Sequence, residues 1–481
     1  MTYATGIKNE RKIKMRVSDY TEGQKKTFDV YKHGCNMFLT GGAGTGKTFI
    51  INDIIEDAET NGKNVLVTAP TGIAALNING ATLHHAFKIP FGVLTYRKTT
   101  YETDERIIAA DIIIIDEISM CRIDVFDFMA NKILEANRVR KTQGKPTIQL
   151  IVVGDFFQLP PVMRPKEKEM LDKYYGFDIG LGFAYKSKFW SYFKFYNIML
   201  TQIMRQSDAA LASALNKLRT GDKEIFVELK KHVSNQKNDG IELCGKVSEV
   251  NNINETKLAL LQSQAVEYNA TTTGEVFEND VIVDFKLTLK IGARIMIVIN
   301  SSEIGCINGQ FGFVTGLYSD AVTVRIDGQQ NDTIIKPYTW KIKDYRLVMD
   351  DITKDEKLEQ YDCGTVTQFP LKLAYAMTIH KSQGQTFDKI NVSPYCWECG
   401  QFYVALSRVR SLDGLNFNYM PELRYAVTAI STIEFYNSLV AIINAGQQLE
   451  DKENKEEIRT KQTAVNSNLA DLANVINILK S

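Results

Sequence analysis

Residues 41–48 read Gly-Gly-Ala-Gly-Thr-Gly-Lys-Thr. Gly41, Gly46, Lys47 and Thr48 fit the phosphate-loop spacing of glycine, four residues, then Gly-Lys-Ser/Thr. Glycines let consecutive backbone N–H groups turn inward and make a concave anion site. Gly42, Ala43, Gly44 and Thr45 would supply the intervening amides. Lys47 would reach the outer phosphates, and the Thr48 hydroxyl would ligate Mg²⁺. The chemistry is binding and hydrolysis of a nucleoside triphosphate. A glycine-rich turn that binds nothing is the bland alternative. A short apolar strand before the loop and a helix after it weigh against that.

Asp116 and Glu117 follow Ile112-Ile113-Ile114-Ile115. Four β-branched residues predict a fully buried strand with two carboxylates at its carboxyl end, where open α/β sheets place their active sites. Asp116 would hold Mg²⁺, directly or through water, and Glu117 would deprotonate the attacking water. Acidic capping of a helix is the alternative. Gln158 follows a further strand, 150–155, and its amide could sense the γ-phosphate or be satisfied by loop backbone. The segment 375–387 holds His380, Lys381, hydroxyls and an amide in a glycine-bearing loop that enters a helix, a set of donors suited to a phosphodiester backbone. Arg408, on a helix with an apolar face, could stabilise transition-state charge from a second domain. A surface ion pair is the competing reading.

These groups need scaffolds. Alternating strands and helices through residue 163 predict a parallel sheet with helices on its faces. Thr21 and Gln24 have capping-box spacing at the head of an amphipathic helix, so Gln24 has a structural reading of its own. Pro160 and Pro161 end the first α/β region. Residues 200–206 open a second one, with a helix over 208–219. Short alternating strands and Gly turns near 285–345 predict a small all-β insert, and the α/β pattern resumes at Leu373.

The chain has 481 residues, 44% hydrophobic and 24% charged, which is ordinary globular material with room for two or three domains. No apolar run reaches the length of a membrane span. The basic stretch near the start lacks the apolar region of a secretory signal. Formal net charge is zero, so composition gives no support for a nucleic-acid partner and any such contact must be local. Seven irregularly spaced cysteines suggest reduced thiols. Cys396 and Cys399 form a CxxC with no second pair near it, read as a non-metal pair.

Taken together, the segments resemble superfamily-one DNA helicases of the PIF type, in the RecD-like branch. The matching stretches are GGAGTGKT (41–48), TAPTGIAA (68–75), TLHHAF (82–87), IIIDEISM (113–120), VGDFFQLPPV (153–162), LTQIMRQ (200–206), AYAMTIHKSQGQTFD (374–388) and FYVALSRVRSLDGL (402–415). The resemblance spans residues 17–430 and implies an α/β fold. It consists of two RecA-like parallel-sheet motor domains with a small wedge subdomain and an SH3-like β-barrel insert. The expected division is a flexible basic arm (1–20), a first RecA-like ATPase domain (21–163) carrying the wedge (83–106), and a linker (164–190). A second RecA-like domain (191–284 and 359–435) is interrupted by the insert (285–358), and a helical extension (436–481) ends the chain.

The resemblance also implies ATP between the motor domains, with Gln24 at the adenine and Arg205 and Arg408 reaching the γ-phosphate. Gly384 joins the expected nucleotide contacts. Pro70, Thr71, Thr82 and His84 would touch single-stranded DNA on the first domain; Thr378, His380, Lys381 and Ser382 would do so on the second. The implied activity is ATP-dependent unwinding with 5′-to-3′ translocation, in DNA replication, repair or recombination. The expected partners are single-stranded DNA and forked or tailed duplex, with no membrane. A monomeric motor is expected, with single-strand-binding or replication proteins as associates. A cytoplasmic location is expected, or a nuclear or mitochondrial one in a eukaryote. Two other outputs fit the same residues: a strand translocase that barely unwinds, and an ATP-switched nucleic-acid-binding protein.

Overall fold

The computed structural model describes residues 19–443 apart from 91, 95–103, 203, 205–208, 220, 221, 223, 235, 275, 302–305, 307, 350–355, 394, 395, 397, 418, 420–427 and 442. The basic arm to residue 18, the middle of the expected wedge, Arg205 and the extension beyond 443 lie outside the described residues.

Six parallel strands make the first sheet. They are β1 (Met37–Gly41), β2 (Val65–Ala69), β3 (Ala81–Thr82), β4 (Ile112–Ile115), β5 (Gln149–Val153) and β6 (Tyr196–Leu200). Their order is β3-β2-β4-β5-β1-β6. Strands β1, β2, β4 and β5 are buried at every residue, which is why they read as unbroken apolar runs rather than alternating ones. The order places β4, β5 and β1 side by side. The carboxylate pair, the Gln158 loop and the phosphate loop therefore emerge next to one another.

Strand β6 corrects the expected boundary. The expected division puts residues 191–200 in the second α/β region, yet β6 pairs in parallel with β1 from Met37↔Tyr196 to Gly41↔Leu200. The approach is close: a Cβ on Gly41 would lie 2.6 Å from the Leu200 carbonyl oxygen. A parallel partner arrives by a crossover, so local pattern does not say which sheet a strand joins.

A second parallel sheet runs Ala376–Thr378, Ile241–Cys244, Ile390–Val392, Leu415–Phe417. Between its strands in sequence lies antiparallel structure. Five strands, Thr333–Ile335, Val322–Ile326, Phe311–Leu317, Arg294–Ile297 and Leu371–Leu373, form one sheet around an apolar core that includes Ile295, Val314 and Val324. A long hairpin, Tyr338–Met349 with Glu356–Gln368, takes Thr271–Gly274 as a third strand. The β region thus begins before 285, and one hairpin strand runs through the expected edge at 358.

The hairpin reaches the first sheet. The Tyr345 hydroxyl accepts the Val67 N–H of β2 at 3.2 Å. Arg106, on the helix Glu105–Ala109, donates to Asp344 at 3.0 Å and to the Tyr345 carbonyl at 3.1 Å. Residues 430–441 are helical and begin a separate compact unit at Ile430. None of the described helices is long and apolar enough to cross a membrane.

Candidate active site

The loop after β1 is shaped by left-handed glycines, Gly44 at φ 77° and Gly46 at φ 84°. Gly46 caps the helix Lys47–Thr60 without a side-chain hydrogen bond, so the first-turn N–H groups and the helix dipole face the loop. The Lys47 ammonium folds back across it, donating to the carbonyls of Gly41 at 2.9 Å and Gly42 at 3.2 Å. Burial pushes its pKa down, while Asp155, Glu117 and Asp116 push it up. Thr45 Oγ1 donates to the Gly42 carbonyl at 2.9 Å. Thr48 is exposed on the first helical turn. Gln24 forms the capping box with Thr21. A Cβ on Gly46 would also lie 2.7 Å from Gln24 Nε2, so the capping residue sits against the phosphate loop.

Asp116 and Glu117 follow β4. Asp116 is buried, and its carboxylate accepts the Glu117 N–H at 2.8 Å. Glu117 takes a left-handed backbone, φ 49°, a strain that non-glycine residues carry where the surroundings hold it. Its Oε2 is buried with no hydrogen-bond partner among the described residues. Burial, then the Asp116 charge, pushes its pKa up to about 7, against Lys47 and Arg408. A carboxyl with that pKa and an unpartnered oxygen is suited to accept a proton from water.

Gln158 is buried, and its Oε1 accepts Gln383 Nε2 at 3.3 Å, so the first sheet's loop meets the 375–387 segment. That segment departs from expectation. Residues 379–384 are turns, with no helix after them, closed by Thr378 Oγ1 accepting the Lys381 N–H at 3.2 Å and Ser382 Oγ donating to Ile379 at 2.7 Å. The helix Gln401–Leu406 ends before Arg408, which lies in the following turn. Arg408 is 3% exposed, which overturns the surface ion pair. Its guanidinium donates to Ser407 Oγ at 2.7 Å and to the carbonyls of Val404 at 3.0 Å and Gln385 at 3.2 Å.

A groove of about 430 Å³ runs beside Glu117. It gathers Pro70, Thr71, Thr82 and His84 from the first sheet with His380, Lys381 and Gly384 from the second. Gly384 was expected at the nucleotide; it lines this groove, where a Cβ would lie 3.0 Å from Asn77 Nδ2. Thr71 and Thr82 cap helices by accepting the N–H of Ala74 at 3.2 Å and of His85 at 3.3 Å. Thr378 and Ser382 are buried and hold the turn rather than line the groove. Burial keeps the His84 and His380 pKa values down.

Three residues at the site were not singled out from sequence. Asp155, fully buried at the end of β5, accepts Arg219 at 3.2 Å and the Tyr403 hydroxyl at 3.3 Å. Tyr403 also accepts the Ala43 N–H at 2.9 Å. Applied to β5, the carboxyl-end rule would have found Asp155; nothing local marks Arg219 or Tyr403. A helix start with no side-chain cap, a glycine cradle and Lys47 fit a nucleoside triphosphate. Among the described residues no group of three or more His, Cys, Asp or Glu could hold a metal.

The PIF1-like helicase family model matches residues 20–238. The ATP-dependent DNA helicase Pif1 of Campylobacter jejuni is 31% identical over 413 residues, covering 79% of this chain and 88% of that protein. The crystal structure of Bacteroides sp. Pif1 in complex with ADP-AlF4 superposes with TM-score 0.75 at 33% identity, covering 88% of this chain and 97% of that one. Bacteroides Pif1 bound to single-stranded DNA gives TM-score 0.59 at the same 33% identity, covering 87% and 96%.

Proposed function

The chain belongs to the PIF1-like helicase family, and from that premise we propose that it is an ATP-dependent DNA helicase that moves 5′-to-3′ along single-stranded DNA. The polarity comes from the family resemblance. The observation that carries the motor reading is the position of Glu117. It lies within electrostatic reach of Lys47 and Arg408 and lines the groove that holds the expected strand contacts. One side chain thus borders both the hydrolysis site and the strand path.

In this reading the amides of Gly44 to Thr48 and Lys47 bind the triphosphate, while the Ala43 N–H, expected among them, is taken by the Tyr403 hydroxyl at 2.9 Å. Gln24 meets the base, and Thr48 and Asp116 hold Mg²⁺, which would neutralise charge between the outer phosphates. Glu117 accepts the proton of the attacking water. Gln158 passes the state of the γ-phosphate to Gln383. Arg408 and Arg205 stabilise transition-state charge. Pro70, Thr71, Thr82 and His84 grip the strand on one side of the groove, and His380 and Lys381 on the other. Thr378 and Ser382 shape that second grip. Two RecA-like units built on the two parallel sheets alternate between grips, and the partners are single-stranded DNA and forked or tailed duplex.

The test is ATP turnover with and without single-stranded DNA. The unaltered chain should be strongly stimulated. Lys47→Ala should lose about 10²–10³-fold in turnover, the usual cost of removing one transition-state contact, while keeping strand binding. Full turnover in Lys47→Ala would remove the site assignment.

A further inference from the structure

The helix Gln401–Leu406 is clamped against loops of the first sheet at two points. Gly400, its cap at φ 77°, lies so close to the Gln158 loop that a Cβ would meet the Gln158 carbonyl oxygen at 2.4 Å. One turn on, the Tyr403 hydroxyl accepts the Ala43 N–H of the phosphate loop at 2.9 Å and donates to Asp155 Oδ2 at 3.3 Å. Asp155 is also held by Arg219 at 3.2 Å, whose guanidinium stacks 4.6 Å from the Phe157 ring centre.

The same helix leads to Arg408 by a short chain of bonds. The Ser407 N–H donates to the Tyr403 carbonyl at 3.0 Å. Ser407 Oγ accepts Arg408 Nη2 at 2.7 Å, and Arg408 Nε donates to Val404 at 3.0 Å. The side chain that touches the phosphate loop and the arginine expected to touch the phosphate thus lie five residues apart, on a buried helix end and the turn that follows it.

We propose that Tyr403 is a positioning residue: its hydroxyl, bridging the phosphate loop and Asp155, sets where Arg408 stands relative to the triphosphate. The inference rests on the Arg408 role proposed above. Its logic is that of a hydrogen bond that places a charge, so losing it costs rate rather than binding.

Tyr403→Phe removes one oxygen and keeps the ring that fills the seam, so the fold is retained and the melting temperature checks this. DNA-stimulated ATP hydrolysis should show kcat reduced about 10-fold with KM for ATP within about twofold. In an Arg408→Ala background the same change should cost less than about twofold more, because residues acting as a unit are non-additive. An unchanged kcat in Tyr403→Phe, or losses that multiply fully in the double variant, would overturn the inference alone. Unchanged turnover in Arg408→Ala would overturn the arginine's role and this inference with it.

Discussion

Glu117 shows what one environment does to one carboxyl. Buried beside Asp116, it titrates near 7 rather than in the ordinary carboxylate range. The neutral form therefore persists up to about neutrality, and the base becomes available only as pH rises through that value. We predict that kcat/KM for ATP climbs between about pH 6 and pH 8 with an apparent pKa near 7. Glu117→Gln should abolish that limb together with most of the turnover. A flat profile over that range would mean that Glu117 is not the base. At this scale sequence carries motifs well and isolated residues poorly. Lys47, Asp116 and Glu117 announce themselves by spacing. Arg219 and Tyr403 reach Asp155 from 64 and 248 residues away, and nothing adjacent to them marks that meeting.

Elements were legible where burial is two-sided. β1, β2, β4 and β5 are apolar runs because both faces of a parallel sheet are covered; their order β2-β4-β5-β1 is visible only in the structure. β6 was misplaced because its local pattern, buried only at Ile198 and Leu200, does not name a partner. The hairpin Tyr338–Gln368 was equally hidden: that it docks on β2 depends on Tyr345, Asp344 and Arg106 meeting in space. Arg106 is 9% exposed and serves Asp104, Asp344 and two backbone carbonyls. Arg106→Ala removes the guanidinium from the partly buried Asp344 and leaves Asp104 only Lys88 at 3.9 Å, and losing such charged hydrogen bonds typically costs about 1–3 kcal/mol. A markedly lower melting temperature is expected, and an unchanged one would mean that the hairpin contact contributes nothing. Gly72 tests the groove wall similarly, since a Cβ there would lie 2.4 Å from Asp280 Cα. Gly72→Ala should weaken single-strand binding by forcing apart the segments at Thr71 and Asp280; unaltered affinity would show that this wall is not part of the strand path.

The whole molecule carries no net charge, yet the proposed activity requires a polyanion to bind. Lys381 and the neighbouring groove must therefore act locally. Affinity for single-stranded DNA should fall with log salt, and Lys381→Ala should reduce the slope by about 0.7, the loss of one phosphate contact. An unchanged slope would place the strand elsewhere. The proposed motor is directional. The most direct measurement is ATP-dependent strand separation on two duplexes that differ only in carrying a 5′ or a 3′ single-stranded tail. A 5′-to-3′ motor opens the 5′-tailed duplex alone; opening of the 3′-tailed duplex alone, or of neither despite DNA-stimulated hydrolysis, would show that the chain is not such a motor.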